Sequence, residues 1–359
     1  MMKSDFEELS DEVQRGLDGR NNGIPMGFER LNRYISIRKS IYTLVGGLTG
    51  SGKTSLVDDA FVLNPCDWYI KNKDKTDIKL KIIYRSMERR RMYKLAKWVA
   101  REMFINEAVT VSVTKLLGWN PKDKLTKDEH DLFLSYKDYM NELQSIVTII
   151  DGPENPVGIA KQIKEYAEEN GKIEQVDKYN KIYIPNDPNL ITLIVIDHVG
   201  LTKVTKDLPT KKAAIDKLSN ELQHARDLYG FSPIVVSQFN RDIANPIRIK
   251  NGDVEPQLED FKESGQTQED ADVVLALFDP MRYKVDDPSG YAMDKLKDQY
   301  GAKYFRSLRL IKNSYGEDDV RIGLGFHGAV GMFKELPRKS DMTEDIYQSV
   351  VNKSFFLKS

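Results

Sequence analysis

The sequence lacks the features that would place it in a membrane or in an oxidising compartment. It has one cysteine, Cys66, which excludes an internal disulfide and a zinc site built from several cysteines. Its most apolar segment, residues 190–196, is far shorter than the roughly 20 residues of a membrane-spanning helix. The acidic first residues are unlike a signal peptide. We therefore expect a chain that works in a reducing, cytoplasmic setting and has no membrane as a partner.

Short apolar runs alternate with amphipathic segments along most of the chain, which predicts a mostly parallel sheet covered by helices on both faces. The expected strands are residues 40–46, 79–84, 146–150, 190–196, 233–237 and 273–278, with a closing hairpin at 306–311 and 320–324. The expected helices are residues 54–61, 116–143, 157–169, 212–229 and a basic helix that ends near Met103. Residues 171–187 and 280–303 are polar and predict surface insertions.

The N-terminal residues 5–17 have apolar side chains at helical spacing, followed by a break rich in glycine and asparagine. This pattern fits two structures equally well. The segment is either a short capping helix or a linker helix that docks on a neighbouring subunit.

A glycine-rich loop carries the strongest functional signal. Residues 47–54, GLTGSGKT, match G-x-x-x-x-G-K-[ST] in full, with an apolar strand before them and a helix after them. Such a loop turns its N–H groups toward phosphate oxygens, while Lys53 reaches the β- and γ-phosphates and the Thr54 hydroxyl binds Mg²⁺. A glycine-rich turn that binds nothing is strongly disfavoured by these flanks. The predicted ATP site consists of Gly47, Leu48, Thr49, Gly50, Ser51, Gly52, Lys53, Thr54 and Ser55.

Three polar side chains follow apolar strands and are candidates for the same site. Asp197 ends the most apolar run, where a carboxylate can hold the metal ion through water. Glu88 could orient the attacking water, although its spacing beside Arg89 favours a solvated surface residue. Gln238 either senses the γ-phosphate or makes a local hydrogen bond. His198 is expected to be structural, because the four histidines show no metal-ligand spacing.

Six segments together resemble the C-terminal motor domain of DnaB-like replicative helicases, which has a RecA-like fold. In chain order they are GIPMGFERLNRYI (23–35), GGLTGSGKTS (46–55), RSMER (85–89), LIVIDHVGL (193–201), SQFNR (237–241) and QLEDFKESGQTQEDADVVLAL (257–277). The resemblance implies that Glu88 is the catalytic glutamate, that Asp197 binds the metal and that Gln238 senses the γ-phosphate. It also implies a homo-hexamer that moves on single-stranded DNA, with primase or a helicase loader as further partners.

The resemblance divides the chain into a linker or docking helix (1–22), the motor domain (23–335) and a C-terminal tail (336–359). It also has two departures. The family's late hairpin carries Lys-x-Arg-x-Gly, whose arginine reaches the neighbouring subunit's γ-phosphate, but this chain has KNSYG with Ser314 at that position. Either Lys312 or Arg309 takes over, or turnover is slow. The sequence before Gly23 also leaves no room for the family's N-terminal collar domain, which suggests a phage or mobile-element protein.

The overall charge does not indicate nucleic-acid binding, since 54 basic residues oppose 55 acidic ones. A ring-shaped motor, however, needs positive charge only on loops that face its channel. Residues 201–212 contain four lysines against one aspartate, and residues 241–250 contain three basic residues against one aspartate. Such loops are usually just solvated. The resemblance makes them the expected DNA-tracking loops.

We therefore predict an ATP-dependent, Mg²⁺-requiring DNA helicase in the cytoplasm of a bacterium or of a phage-infected cell. Two alternatives remain open. A RecA-like ATPase that is not a helicase, such as a recombinase-like protein or a loader, is favoured by the missing collar. A weakly hydrolysing structural ring subunit is suggested by Ser314.

Overall fold

The computed structural model describes residues 4–178, 180–251, 254–262, 265–284 and 289–358. The strands are β1 Thr43–Gly47, β2 Lys79–Ser86, β3 Val147–Asp151, β4 Gly171–Gln175, β5 Lys181–Pro185, β6 Leu190–Asp197, β7 Ser232–Gln238, β8 Val273–Phe278, β9 Phe305–Asn313, β10 Val320–His327 and β11 Met332–Glu335.

The longer helices are α1 Asp5–Leu17, α3 Asn64–Asn72, α4 Arg91–Glu107, α6 Lys127–Ser135, α7 Lys137–Ile146, α8 Pro156–Glu169, α9 Lys211–Tyr229 and α13 Glu344–Val351. The shorter ones are α2 Lys53–Val57, α5 Val113–Leu116, α10 Pro246–Asn251, α11 Gly265–Asp270 and α12 Pro280–Tyr283. A π-helical segment, Asp58–Leu63, joins α2 to α3.

One large sheet has the strand order β11-β10-β9-β8-β1-β7-β6-β2-β3. The strands from β8 to β3 in that order pair in parallel, and β9, β10 and β11 add an antiparallel hairpin edge. The carboxyl ends of the central parallel strands therefore meet at one edge of the sheet, where α/β proteins bind their ligands.

The apolar strands bury both faces, and their alternate residues divide between two cores. In β6, Leu193 and Val195 join one core and Ile194 and Ile196 join the other. Helix α4 covers the first core with Trp98, and helices α8 and α9 cover the second. The predicted mostly parallel sheet with helices on both faces and a C-terminal hairpin is confirmed.

Local signals set the ends of the helices. Helix α9 begins after Thr210, whose hydroxyl accepts a hydrogen bond from the Ala213 N–H, and it ends at Gly230 with φ of 71°. Helix α1 begins with a capping box between Ser4 and Glu7. The apolar side chains of α1 stay exposed, from 56% at Val13 to 78% at Leu17.

Three segments differ from the sequence-based expectation. The helix expected at 116–143 is two helices, α6 and α7, and it does not begin at residue 116, because α5 ends there and the chain turns at Gly118, where φ is 67°. The expected insertion at 171–187 contains the β4–β5 hairpin, which packs Tyr183 against Phe231. In the expected insertion at 280–303, Leu296 is fully buried in a core that includes Val350 of α13.

None of the helices in the described ranges combines the length and the apolar character needed to cross a membrane.

Candidate functional site

The glycine-rich loop lies between the end of β1 and the start of α2, at the carboxyl edge of the sheet. Strand β1 pairs with β7 on one side and with β8 on the other, so the loop leaves from the middle of the sheet. Gly50 and Gly52 have φ of 81° and 106°, in the left-handed region that favours glycine. These turns curl the chain so that α2 begins at Lys53 with its N-terminus toward the loop.

Two arginines from the C-terminal part of the chain hold the loop from outside. The Arg306 Nε on β9 donates to the Ser51 carbonyl at 2.9 Å, and Arg306 also pairs with Asp279 at 3.3 Å. The exposed Arg282 donates from Nη1 to the Thr49 carbonyl at 2.6 Å. The loop is therefore held in shape by groups that sequence motifs do not mark.

Asp197 lies at the end of β6, buried and surrounded by donors. Its Oδ1 accepts from the Thr54 hydroxyl at 3.1 Å, and its Oδ2 accepts from the Tyr84 hydroxyl at 2.8 Å. The Lys94 ammonium is 3.3 Å from Oδ2. Burial raises the pKa of Asp197, but Lys94 and the two hydroxyls outweigh it and lower that pKa below the ordinary value. The carboxylate is therefore held ionised, as a metal-binding group requires.

A cavity of about 340 Å³ brings the expected site residues together. Its lining includes Thr49, Gly50, Gly52, Lys53, Thr54, Glu88, Asp197 and Gln238. Four other residues of the expected ATP site lie outside that lining: Gly47, Leu48, Ser51 and Ser55. Lys53 donates to the Leu48 carbonyl at 3.0 Å, so its side chain folds over its own loop.

Glu88 and Gln238 reach the cavity from neighbouring strand ends. Glu88 follows β2, and about half of its side chain is exposed. Gln238 ends β7, and its Nε2 lies 3.3 Å from the His198 Nε2. His198 lines the cavity as well, although the sequence pattern favoured a purely structural histidine.

The hairpin residues lie elsewhere in the same chain. Lys312 donates from Nζ to the carbonyls of Gln268 and Glu269 at 3.2 and 3.1 Å, beside α11. Arg309 is held by Asp319 at 2.6 Å and by Glu255 at 3.7 Å. Lys312, Arg309 and Ser314 all lie outside the lining of their own chain's cavity, as far as the described residues define it.

Sequence reasoning missed several charged residues of the cavity, among them Asp58, Lys94 and Lys97. Asp58 lies four residues after Thr54, so the helical repeat could have marked it as a neighbour. The lysines stand in or after the basic run at 89–94, which resembles a solvated helix face.

The residues that line the cavity suit a nucleoside triphosphate with Mg²⁺. In the cavity the Thr54 hydroxyl donates a hydrogen bond to the Asp197 carboxylate. Both groups offer hard oxygen atoms as metal ligands. Asp58 is also a lining residue of the cavity. Its Oδ2 is buried and has no hydrogen-bond partner among the described residues. In the described ranges no three acidic, histidine or cysteine side chains cluster as a metal site. A Mg²⁺ ion here would be held by Thr54 and Asp197 together with phosphate oxygens and water.

Part of the chain is similar in sequence to curated replicative DNA helicases. The replicative DNA helicase DnaB of Mycobacterium leprae (strain TN) is 27% identical over 130 residues, which cover 32% of this chain and 21% of that protein. The replicative DNA helicase DnaB of Mycobacterium intracellulare is 26% identical over 130 residues, covering 32% and 22%. The matches thus span about a fifth of the length of these curated relatives.

Two solved structures share the fold. A DnaB-like replicative helicase, studied with its interactions with primase, gives a TM-score of 0.67 at 18% identity and covers 94% of this chain and 69% of that one. The isolated ATPase domain of a second protein gives a TM-score of 0.66 at 17% identity, with coverage of 94% and 100%.

The family described as "DnaB-like helicase C terminal domain" matches residues 23–335. Since this match covers most of the sequence, the chain belongs to the family of DnaB-like helicase C-terminal domains and has their RecA-like fold.

Proposed function

We propose that the protein is an ATP-dependent DNA helicase, a ring motor that moves along single-stranded DNA during replication in the cytoplasm. The observation that carries the proposal is the convergence of Lys53, Glu88 and Asp197 on one cavity at the carboxyl edge of the sheet. Membership of the DnaB-like family supports the same function. Residues 23–335 are the motor, residues 1–22 the linker helix and residues 336–359 a C-terminal tail.

Five residues of the cavity have a defined part in the proposed ATP hydrolysis. Lys53 and the N–H groups of the glycine-rich loop bind the phosphates, and Thr54 and Asp197 hold Mg²⁺. When bound there, Mg²⁺ would supply positive charge against the charge that develops on the phosphates. Glu88, on a half-exposed loop, orients the attacking water and accepts its proton. Gln238 senses the γ-phosphate and passes that state to the segment that follows β7.

The second half of the site comes from a neighbouring subunit. Arg309 is committed to Asp319 and Glu255, whereas the Lys312 ammonium is held by two backbone carbonyls and has no carboxylate partner within the described part of the chain. Lys312 is therefore the better candidate to place positive charge near the neighbour's γ-phosphate. The family's arginine would do this from the position that Ser314 occupies here. Such a shared site needs an oligomer, and membership of the DnaB-like family makes a homo-hexamer the assembly that we propose.

Helix α1 fits the role of the linker between subunits. Phe6, Leu9, Val13 and Leu17 all lie more than half exposed along it. A single chain gains nothing from this apolar stripe, so we propose that the neighbouring subunit covers it.

Single-stranded DNA would follow the loop after Asp197. Lys203, Lys206 and Lys212 are exposed there, near the carboxyl edge of the sheet. The loop after Gln238 contributes less than its composition suggests, because Arg248 pairs with Asp260. The side chain of Arg241 lies outside the described part of the chain. A primase or a helicase loader is the proposed protein partner.

Strand displacement on a forked DNA duplex with ATP and Mg²⁺ tests this function. The wild-type protein should release the labelled strand, and the Lys53→Ala variant should not, since it lacks the phosphate-binding ammonium. A wild-type protein that hydrolyses ATP but leaves the fork intact would favour a RecA-like ATPase of the recombinase or loader type.

A ring subunit with little turnover is the second candidate, because Ser314 lacks charge and Arg309 is already paired. Phosphate release in the presence of single-stranded DNA separates the two. Equal release by the wild type and by Lys53→Ala, with both assembled, would support this second candidate.

A further inference from the structure

A buried lysine lies at the floor of the nucleotide cavity. Lys94, in the first turn of α4, is 1% exposed. Its Nζ is 2.9 Å from the Asp58 Oδ1 and 3.3 Å from the Asp197 Oδ2. It also donates to the Tyr84 hydroxyl and lies 3.9 Å from the centre of that ring. The ammonium thus joins α4 to the π-helical segment after α2 and to the end of β6.

The Asp197 carboxylate belongs to a buried cluster of charged side chains. Two carboxylates, Asp58 and Asp197, face one ammonium, and all three side chains are nearly completely buried. A buried ammonium is stable only beside such partners, and removing it would leave two carboxylates facing each other. Asp58 lines the cavity, and its Oδ2 is buried without a hydrogen-bond partner among the described residues.

Lys94 also lies close in sequence to the loop that carries Glu88. Helix α4 begins just after the loop that carries Glu88, and the Glu88 carboxylate has a long contact with Arg89, at 3.8 Å. The Lys94 contact with Asp197 therefore fixes the start of α4 against the metal-binding carboxylate. The Lys94 ammonium is occupied by Asp58 and Asp197, so Lys94 acts on the site through these two carboxylates.

We propose that Lys94 is a positioning residue that acts as a built-in cation. It holds the Asp58 and Asp197 carboxylates in place before Mg²⁺ arrives and lowers the affinity of the site for the free ion. The metal therefore binds with the nucleotide and not ahead of it. This inference rests on the proposed ATPase function.

Binding of Mn²⁺ to the nucleotide-free full chain tests the proposal, with the free ion followed by electron paramagnetic resonance. The Lys94→Met variant should bind Mn²⁺ at least about tenfold more tightly than the wild type, because two unpaired carboxylates attract the ion. The double variant Asp58→Asn with Lys94→Met should lose most of that gain. Arg91→Met is the matched control. It removes a positive charge from the same turn of α4, but Arg91 is exposed and lies outside the cavity lining that the described residues define. The Mn²⁺ affinity of this variant should change less than about threefold.

A folded Lys94→Met variant that binds Mn²⁺ no more tightly than the wild type would overturn the proposal. A gain of equal size in Arg91→Met would do the same, because the effect would then be general. If Lys94→Met does not fold, Asp58→Asn keeps the test decisive. It leaves Lys94 facing Asp197 alone, so the Mg²⁺ concentration for half-maximal ADP binding should rise at least about threefold. An unchanged Mg²⁺ requirement would refute the role of Lys94.

Both measurements are made without DNA and without turnover. A protein that failed to unwind DNA could still show the expected Mn²⁺ pattern, so failure of this inference is distinguishable from failure of the proposed function.

Discussion

Replacing Arg306 with alanine should release the phosphate-binding loop from the hairpin behind it. Only 7% of the Arg306 side chain is exposed. Its Nε donates to the Ser51 carbonyl, its Nη2 lies 3.3 Å from Asp279, and its guanidinium lies 4.8 Å from the centre of the Phe326 ring. These contacts tie β9 to the proposed phosphate-binding loop.

The burial of Arg306 and Asp279 sets the expected loss in the free energy of unfolding. A hydrogen bond from a charged donor contributes about 1.5–3 kcal/mol, and breaking a buried ion pair costs about 3–5 kcal/mol because the partner is left unpaired. Asp279 is 8% exposed, so the larger range applies to the free energy of unfolding. The released loop must also be ordered again on binding, and an ordering cost of about 1.4–2.8 kcal/mol weakens ATP binding by about 10- to 100-fold.

Urea denaturation and nucleotide titration measure the two effects. Arg282→Ala is the matched control, because Arg282 also donates to a carbonyl of the loop but is exposed. It should cost less than about 1 kcal/mol and change ATP affinity little. Equal losses in Arg306→Ala and Arg282→Ala would refute the idea that burial of the Arg306 contacts sets the shape of the loop.

Three further outcomes are expected. Glu88→Gln should lower ATP turnover at least about 100-fold while ATP binding stays within about threefold, as phosphate release and nucleotide titration would show; unchanged turnover would remove Glu88 from its role. Leu9→Asp should leave the stability of the single chain within about 0.5 kcal/mol but weaken assembly in sedimentation, because Leu9 is 58% exposed on α1; an unchanged assembly would contradict the docking of that helix. Burial lowers the pKa of His327 from 6.5 to about 4, so the neutral form stabilises the fold above pH 6.5 and this contribution is lost as the pH falls toward 4. Between pH 7 and pH 5 the wild type should lose about 2 kcal/mol more stability than His327→Leu in denaturant unfolding, and equal losses would contradict this reasoning.

The sequence predicts the parts of the structure that depend on local pattern. The apolar residues of β6 bury both faces of the strand, so their run of hydrophobic side chains was sufficient evidence for a central strand. The glycine-rich loop is equally clear, because Gly52 adopts a left-handed conformation at a position where the motif requires glycine.

Other features depend on contacts between distant segments and could not be predicted. Lys94 stands in a run of basic residues that resembles a solvated surface, and only its meeting with Asp58 and Asp197 makes burial possible. The role of Arg306 is hidden for the same reason, since it reaches Ser51 across the sheet from β9. The packing of α13 against the core around Leu296 also carries no local signal.

We propose that the protein hydrolyses ATP at a site shared between subunits that move on single-stranded DNA. The ATPase rate per subunit, measured against protein concentration with and without single-stranded DNA, tests it most directly. The rate per subunit should fall on dilution, because the proposed site takes Lys312 from a neighbouring subunit, and DNA should raise the rate. A rate per subunit that stays constant on dilution and is indifferent to DNA would contradict the claim.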